Sequence, residues 1–368
     1  MNILVLGGTG AMGVPLVKLL SETNEVWVTS RSPRQSSGKV HYIRGNAKDS
    51  DFLRSILRQC RWDAVIDFMV WTRDNFENIL AEMLRNTRQY VFISSARVYA
   101  KSDIPITENT PRLLDCSTDM EFLRTEEYSL LKAREENLLF ASDSKNYTII
   151  RPSITYNDYR LQLGPMEKEG WLYRALHGRS IVFSEDIADK ITTMTSGDDV
   201  AKGIAAILGK EEALGEVYNI TSPDALPWRI VLSTYLDVLA EYLGHPVNVY
   251  WTKKTVFEKF KEQRYRLKYN RLYDRRFDNK KISNFVDISN FLPCEKGLKT
   301  CLKGFLNNPK FRPINWRLEG INDRVTGEKT PLVEIPSLKG KIIYIAARYN
   351  LPILTFIIDN AIKMSNSK

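Results

Sequence analysis

Hydrophobic and polar positions alternate in blocks along the first half of the chain. Residues 3–6 are apolar and uncharged, and residues 14–20 carry apolar side chains at helical spacing. Further short apolar runs at 25–29, 41–43, 64–68, 90–94 and 148–151 read as strands. A helix carrying Tyr128 and Lys132 falls before the last of them. Strands alternating with helices predict an α/β fold with a doubly wound parallel sheet. After Arg151 the pattern becomes irregular. Residues 195–208 then read as a return to the core ending in a helix, and 216–221 as one more strand.

The turn after the first strand is Gly7-Gly8-Thr9-Gly10-Ala11-Met12-Gly13. Strand, glycine turn and helix in that order suit a dinucleotide-binding βα unit. Gly7 permits the tight turn, Gly10 lets the backbone approach a pyrophosphate, and Gly13 lets the helix lie close to the strand. Free N–H groups at the helix start then face the anion.

The spacing is G-x-x-G-x-x-G. Downstream stand Tyr90-Val91-Phe92-Ile93-Ser94-Ser95, then Tyr128-Ser129-Leu130-Leu131-Lys132 as Y-x-x-x-K, then Tyr147-Thr148-Ile149-Ile150-Arg151-Pro152. In this order the four segments resemble the extended short-chain dehydrogenases/reductases, the group of NAD(P)-dependent epimerases and dehydratases. The resemblance covers about residues 1–306. It implies a Rossmann-type domain over 1–152 and 195–222, and a substrate-binding lobe over 153–194 and 223–306. Residues 307–368 are left as an unrecognised helical extension. The active cleft is expected between the lobes, at the carboxyl ends of the strands.

Chemistry at a C–OH/C=O centre needs a group that moves the hydroxyl proton while hydride is exchanged. A free tyrosine is a poor base at neutral pH, and a lysine at i+4 lies on the same helix face and favours the phenolate. Tyr128 and Lys132 have that spacing. The resemblance implies that Lys132 also holds the nicotinamide ribose, and that a Ser or Thr ending strand five bonds the reacting oxygen. Ser95-Ala96-Arg97-Val98-Tyr99 fits the family frame, so Ser95 is chosen over Ser94. Dehydratases carry Asp-Glu where this chain has Ala96 and Arg97, which argues against water loss.

The resemblance also implies a cofactor pocket of Gly7, Gly8, Thr9, Gly10, Ala11, Met12, Gly13, Ser30, Arg31, Asn46, Phe68, Met69, Lys132 and Pro152. The second strand ends in Thr29-Ser30-Arg31-Ser32, without the acid that grips the ribose of NAD. Arg31 and Ser30 can bond a 2′-phosphate. NADP(H) is therefore expected, with NAD(H) as the alternative, although Arg31 also reads as a solvated loop residue. Asn46 stands where an adenine-binding Asp is usual. For substrate, Ser95, Arg97, Tyr156, Trp171 and Arg174 are the candidates, while Trp171, Tyr173 and Arg174 suit core packing equally. The usual Asn after Arg-Pro is replaced in Arg151-Pro152-Ser153-Ile154, and Thr192 and Thr193 stand where an arginine is common. A sugar or nucleotide sugar remains the leading substrate class.

With 43% hydrophobic and 26% charged residues, the composition is that of an ordinary globular protein. Met1 runs straight into the first strand. Cys60, Cys116, Cys294 and Cys301 have no metal-ligand spacing, and His41, His177 and His245 are scattered. A cytoplasmic protein without a metal is expected, with an anionic small-molecule substrate and a homodimeric assembly. The net charge is +9, and residues 253–281 alone hold twelve Lys/Arg against four Asp/Glu. With Tyr265, Tyr269 and Tyr273 interleaved, this stretch reads as an anion-attracting surface or as a solvated face. It also carries the rival reading, an RNA-binding or regulatory protein that senses NAD(P); nucleic acid is not the expected partner. Residues 342–362 are apolar at membrane-spanning length, but Arg348, Asn350, Pro352 and Asp359 interrupt them. A break between two short helices at Asn350-Leu351-Pro352 is expected instead of membrane insertion.

Overall fold

The computed structural model describes residues 1–351, which divide into two compact units. Unit 1 comprises 1–157, 191–226 and 273–297, and unit 2 comprises 158–190, 227–272 and the chain from Leu298 onward.

Unit 1 is built on β1 (Asn2–Leu6), α1 (Gly13–Leu20), β2 (Glu25–Ser30), β3 (Val40–Arg44), α2 (Ser50–Leu57), β4 (Trp62–Asp67) and α3 (Arg73–Arg85). It continues through β5 (Thr87–Ile93), α4 (Tyr128–Phe140), β6 (Tyr147–Pro152), β7 (Ile154–Tyr156), β8 (Met194–Ser196), α5 (Gly197–Ile207) and β9 (Glu216–Ile220). Seven strands form one parallel sheet in the order β9-β6-β5-β4-β1-β2-β3. Its strands are mainly apolar because both faces are covered, and their charged residues fall mostly at or near the strand ends. Ile3 and Val5 point into one core with Leu16, Val28, Ile66 and Ile204. Leu4 and Leu6 point into the other with Leu53, Phe76, Ile79 and Phe92. The winding reverses between β1 and β4, which opens a crevice at their carboxyl ends.

Local signals fix the helix starts. Asp49 caps α2 by accepting from Asp51 N and Phe52 N, and Ser196 caps α5 by accepting from Asp198 N. Residues 273–297 group with the sheet, although the sequence assigned them to the other lobe. Ile106 N donates to Arg276 O at 2.8 Å, and Asn279 Oδ1 accepts from Thr221 Oγ1 at 2.9 Å.

In unit 2 the strand Ile181–Ser184 pairs in parallel with Val249–Thr252. Helix Trp228–Leu243 ends at Gly244, whose φ of +76° is the left-handed stop that glycine favours. The extension is helical here, through Trp316–Thr326 and Leu338–Arg348. These two lie so close that a Cβ on Gly320 would be 2.5 Å from Tyr344 O. The second helix stops before Asn350, which has φ +54°, as expected for a break there; the helix expected beyond Pro352 lies outside the described residues. Among those residues no helix is long and apolar enough to cross a membrane.

Candidate active site

The glycine turn lies at the switch point. Gly7 has φ +71°, which side chains disfavour. Its N–H donates to Thr29 Oγ1 at 3.2 Å, so the turn is tied to β2. A Cβ on Gly7 would stand 3.0 Å from Met69 Sδ, which places the turn against the loop after β4. A Cβ on Gly13 would lie 2.6 Å from the backbone of Gly8, so the start of α1 packs closely on the turn itself. A Cβ on Gly8 would also be pressed, 2.7 Å from Val5 Cγ1. A Cβ on Gly10, by contrast, meets nothing within 4 Å. The turn therefore combines tight packing below with an open approach to the backbone at Gly10, as a dinucleotide requires.

The two serines after β5 are used differently. Ser94 Oγ donates to Glu136 Oε1 at 2.6 Å and is spent in the core. Ser95 Oγ accepts from Arg97 N at 3.2 Å, which leaves its hydroxyl proton to donate elsewhere. Tyr128 is the first residue of α4 and is half-buried. Glu127 caps that helix by accepting from Ser129 N at 2.7 Å and also pairs with Arg97. The Arg97 guanidinium lies 5.1 Å from the centre of the Tyr128 ring. Among the described residues nothing bonds the Tyr128 hydroxyl. Arg97 thus links the serine turn to the start of the tyrosine helix, and Glu127 fixes it there.

One turn along, Lys132 is 1% exposed. Its Nζ donates to Met69 O at 3.2 Å, lies 4.4 Å from the Phe92 ring centre and pairs with Glu135 Oε2 at 3.0 Å. Burial raises the Glu135 carboxyl to about 7, against the opposing pull of Lys132. Burial also raises Asp67, at the end of β4. Asp67 accepts from Met69 N at 2.8 Å, Trp71 Nε1 at 2.7 Å and Tyr90 Oη at 2.6 Å.

The remaining candidates divide. Phe68 and Met69 line the switch-point loop, and Pro152 closes β6 opposite Ile220. Arg31 and Asn46 are exposed at the ends of β2 and β3, and Ser30 Oγ donates to Ser32 O at 2.8 Å. Tyr156 is fully buried in unit 1, against Gly297. Trp171 and Arg174 belong to unit 2, and both are 0% exposed. Trp171 stacks on Tyr235 at 4.5 Å, and Arg174 is held by Glu319, Asp323 and Glu328. Packing, not an open face, is what the structure gives these two.

Two of the twelve cations of the basic segment are buried, while eight are exposed. Arg271 is buried and donates to Gly164 O at 2.9 Å. Arg275, also buried, donates to Tyr99 O and Ala100 O, both at 3.1 Å.

A model of the NAD dependent epimerase/dehydratase family matches residues 3–221. The chain belongs to that family. A chloroplast stem-loop binding protein of 41 kDa from Arabidopsis thaliana is 29% identical over 236 residues, 60% of this chain and 58% of that protein. The 2'-dehydrokanamycin reductase of Streptomyces kanamyceticus is 24% identical over 254 residues, 67% of this chain and 68% of that one. Among solved structures, the UDP-glucuronic acid 4-epimerase of Bacillus cereus, in complex with UDP-glucuronic acid and NAD, superposes with a TM-score of 0.63 at 17% identity. That match covers 83% of this chain and 99% of the epimerase.

Within this epimerase/dehydratase framework, sequence reasoning missed Glu127, Glu135 and Asp67. Glu135 had a legible signal, since an acid at i+3 from a lysine shares its helix face. Asp67 was visible as the acid that ends the apolar run of β4. Glu127 gave only the general mark of a helix cap.

Proposed function

We propose that the chain is an NADP(H)-dependent oxidoreductase or epimerase acting at a C–OH/C=O centre of a sugar or nucleotide sugar. The observation that carries the reading is the assembly of Ser95, Arg97, Tyr128 and Lys132 around the carboxyl ends of β4 and β5, beside a glycine turn open at Gly10. Tyr128 removes or returns the hydroxyl proton. Ser95, with its proton free, donates to the reacting oxygen. Lys132 supplies the cation behind Tyr128 and an N–H for the nicotinamide ribose. Arg97 faces an anionic group of the substrate. The nicotinamide, when bound, exchanges hydride with the reacting carbon.

NADP(H) is the proposed cofactor because Arg31 stands exposed where an acid would repel the 2′-phosphate. Ser30 would have to turn from Ser32 O to join it. UDP-sugars and keto-sugars are the first substrates to assay, by absorbance of the reduced cofactor and by product epimer. Tyr128→Phe should keep its fold and cofactor affinity and lose about 10²–10⁴-fold in turnover. Wild-type turnover in that variant would overturn the assignment.

A second reading, an RNA-binding protein that senses NAD(P), is favoured by the stem-loop binding relative. Burial removes Arg271 and Arg275 from such a surface, while eight other Lys/Arg of 253–281 stay exposed. Stem-loop RNA binding whose affinity falls steeply with salt would favour it.

A further inference from the structure

Two adjacent acids on α4 are both 0% exposed, yet they are built into the fold in opposite ways. Glu136 accepts from Ser94 Oγ, from Arg151 Nε and NH2 at 2.8 and 2.7 Å, and from Arg112 NH1 at 3.1 Å. Its charge is compensated by two guanidinium groups. Glu135 has only the Lys132 ammonium, 3.0 Å away, and neither of its oxygens has a further partner among the described residues. The groups that act on Glu135 are Lys132 and Glu136 from its own helix, Asp67 from β4 and Tyr90 from β5. Asp67 accepts three hydrogen bonds, although burial still raises its carboxyl. Two buried carboxyls therefore share one ammonium, and Glu135 is the less supported of the two.

We propose that Glu135 is a positioning residue that acts through Lys132, and that the proton it gains or loses sets how freely Lys132 serves the nicotinamide cofactor. The inference rests on the proposed cofactor site. An ammonium has three N–H groups. With Glu135 ionised, one is drawn to Glu135 and one to Met69 O. The positive charge of Lys132 is then offset as well. With Glu135 protonated, an N–H is released and the charge of Lys132 is offset by Asp67 alone. Cofactor binding and Glu135 protonation therefore favour one another, as linked equilibria must. The raised carboxyl, at about 7, brings this exchange to neutral pH. Nothing else is consumed: one proton passes between Glu135 and solvent.

The test is binding of NADPH and NADH, followed by nicotinamide fluorescence from pH 5.5 to 9. Wild type should bind about three- to tenfold more weakly at pH 8.5 than at pH 6. Glu135→Gln, which mimics the protonated side chain, should match wild type at pH 6 and keep that affinity at pH 8.5. The NADH arm removes the 2′-phosphate, which titrates near about pH 6 as phosphate esters do. Calorimetry of wild type in buffers of different ionisation heat adds a measurement that needs no variant. Cofactor binding near pH 7.5 should take up a fraction of a proton. Parallel pH profiles for wild type and Glu135→Gln, or binding without proton uptake, would overturn the proposal and leave the cofactor site standing. A wild type that binds neither cofactor at any pH would overturn the site reading and the proposal with it.

Discussion

Arg174 in unit 2 and Glu135 in unit 1 are both charged and both fully buried, and the fold treats them as opposites. The Arg174 guanidinium reaches Glu319 and Asp323 through NH1 at 2.7 and 2.8 Å, Glu328 through NH2 at 2.7 Å and Ser180 O through Nε at 2.9 Å. Its partners are bonded in turn, although burial still raises the Glu319 carboxyl. Asp323 Oδ2 also accepts from Thr330 Oγ1 and Tyr344 Oη, both at 2.7 Å. Burial pushes the Asp323 carboxyl up, yet these bonds outweigh it and hold the group below its usual range. Around Glu135 burial wins. A buried charge with every donor and acceptor matched fixes structure. One with too few partners keeps two accessible protonation states, and that places it among functional candidates.

The largest effect should come from breaking the matched side. Arg174→Met leaves Asp323 buried without its cation and Glu319 with Arg179 alone, a change that costs about 3–5 kcal/mol in comparable cases. Urea unfolding should show that loss. Arg174 ties the helix Lys168–Leu176 to Trp316–Thr326 within unit 2, so removal of the chain beyond 307 should be similarly damaging. An Arg174→Met protein within 1 kcal/mol of wild type would mean that the network is no more than a neutral replacement for apolar packing.

The unmatched side makes a smaller, pH-dependent prediction. The Glu135 carboxyl is raised from 4.5 in the unfolded chain to about 7 in the fold. Below pH 4.5 both states are protonated and the group is neutral in the balance. Between 4.5 and 7 the folded state holds the extra proton, so stability falls as pH rises. Above about 7 the loss is complete, at roughly 3 kcal/mol for a shift of this size. Asp67, raised in the same direction, adds to the slope. Glu135→Gln should flatten the stability–pH curve over this window, as read from urea midpoints at pH 5 and 8. An unchanged slope would assign the titration to Asp67.

The same contrast explains what the sequence disclosed. The sheet was legible because strands buried on both faces are written as mainly apolar runs, and Gly7 and Gly13 because a positive φ and a close backbone approach leave few alternatives to glycine. The spacing of Tyr128 and Lys132 was legible because it is local to one helix. What was not legible depends on contacts distant in the chain. Nothing near Trp171 announces Tyr235, and nothing near Arg174 announces Glu319. Arg275 stands in a basic run, yet its guanidinium is lodged on carbonyls more than a hundred residues away. A run of like charges reports composition, while tertiary packing decides which of them reach solvent.

Arg31 completes the comparison as a cation for which the fold supplies no partner. It is exposed at the end of β2, with no ion pair among the described residues. No desolvation has to be offset there, so Arg31→Asp should leave unfolding stability within about 0.5 kcal/mol of wild type. Its effect belongs to the ligand. Replacing attraction by repulsion at a 2′-phosphate should weaken NADPH binding by about 1–2 kcal/mol, roughly five- to thirtyfold, and leave NADH nearly unchanged. The difference between the two cofactors should shrink as salt is raised, because exposed charges are screened over a Debye length of about 8–10 Å. Equal loss of NADPH and NADH would place the effect in the loop and not in phosphate recognition. NADH binding at least as tight as NADPH in the wild type would show that a missing acid does not by itself confer a preference for the phosphate.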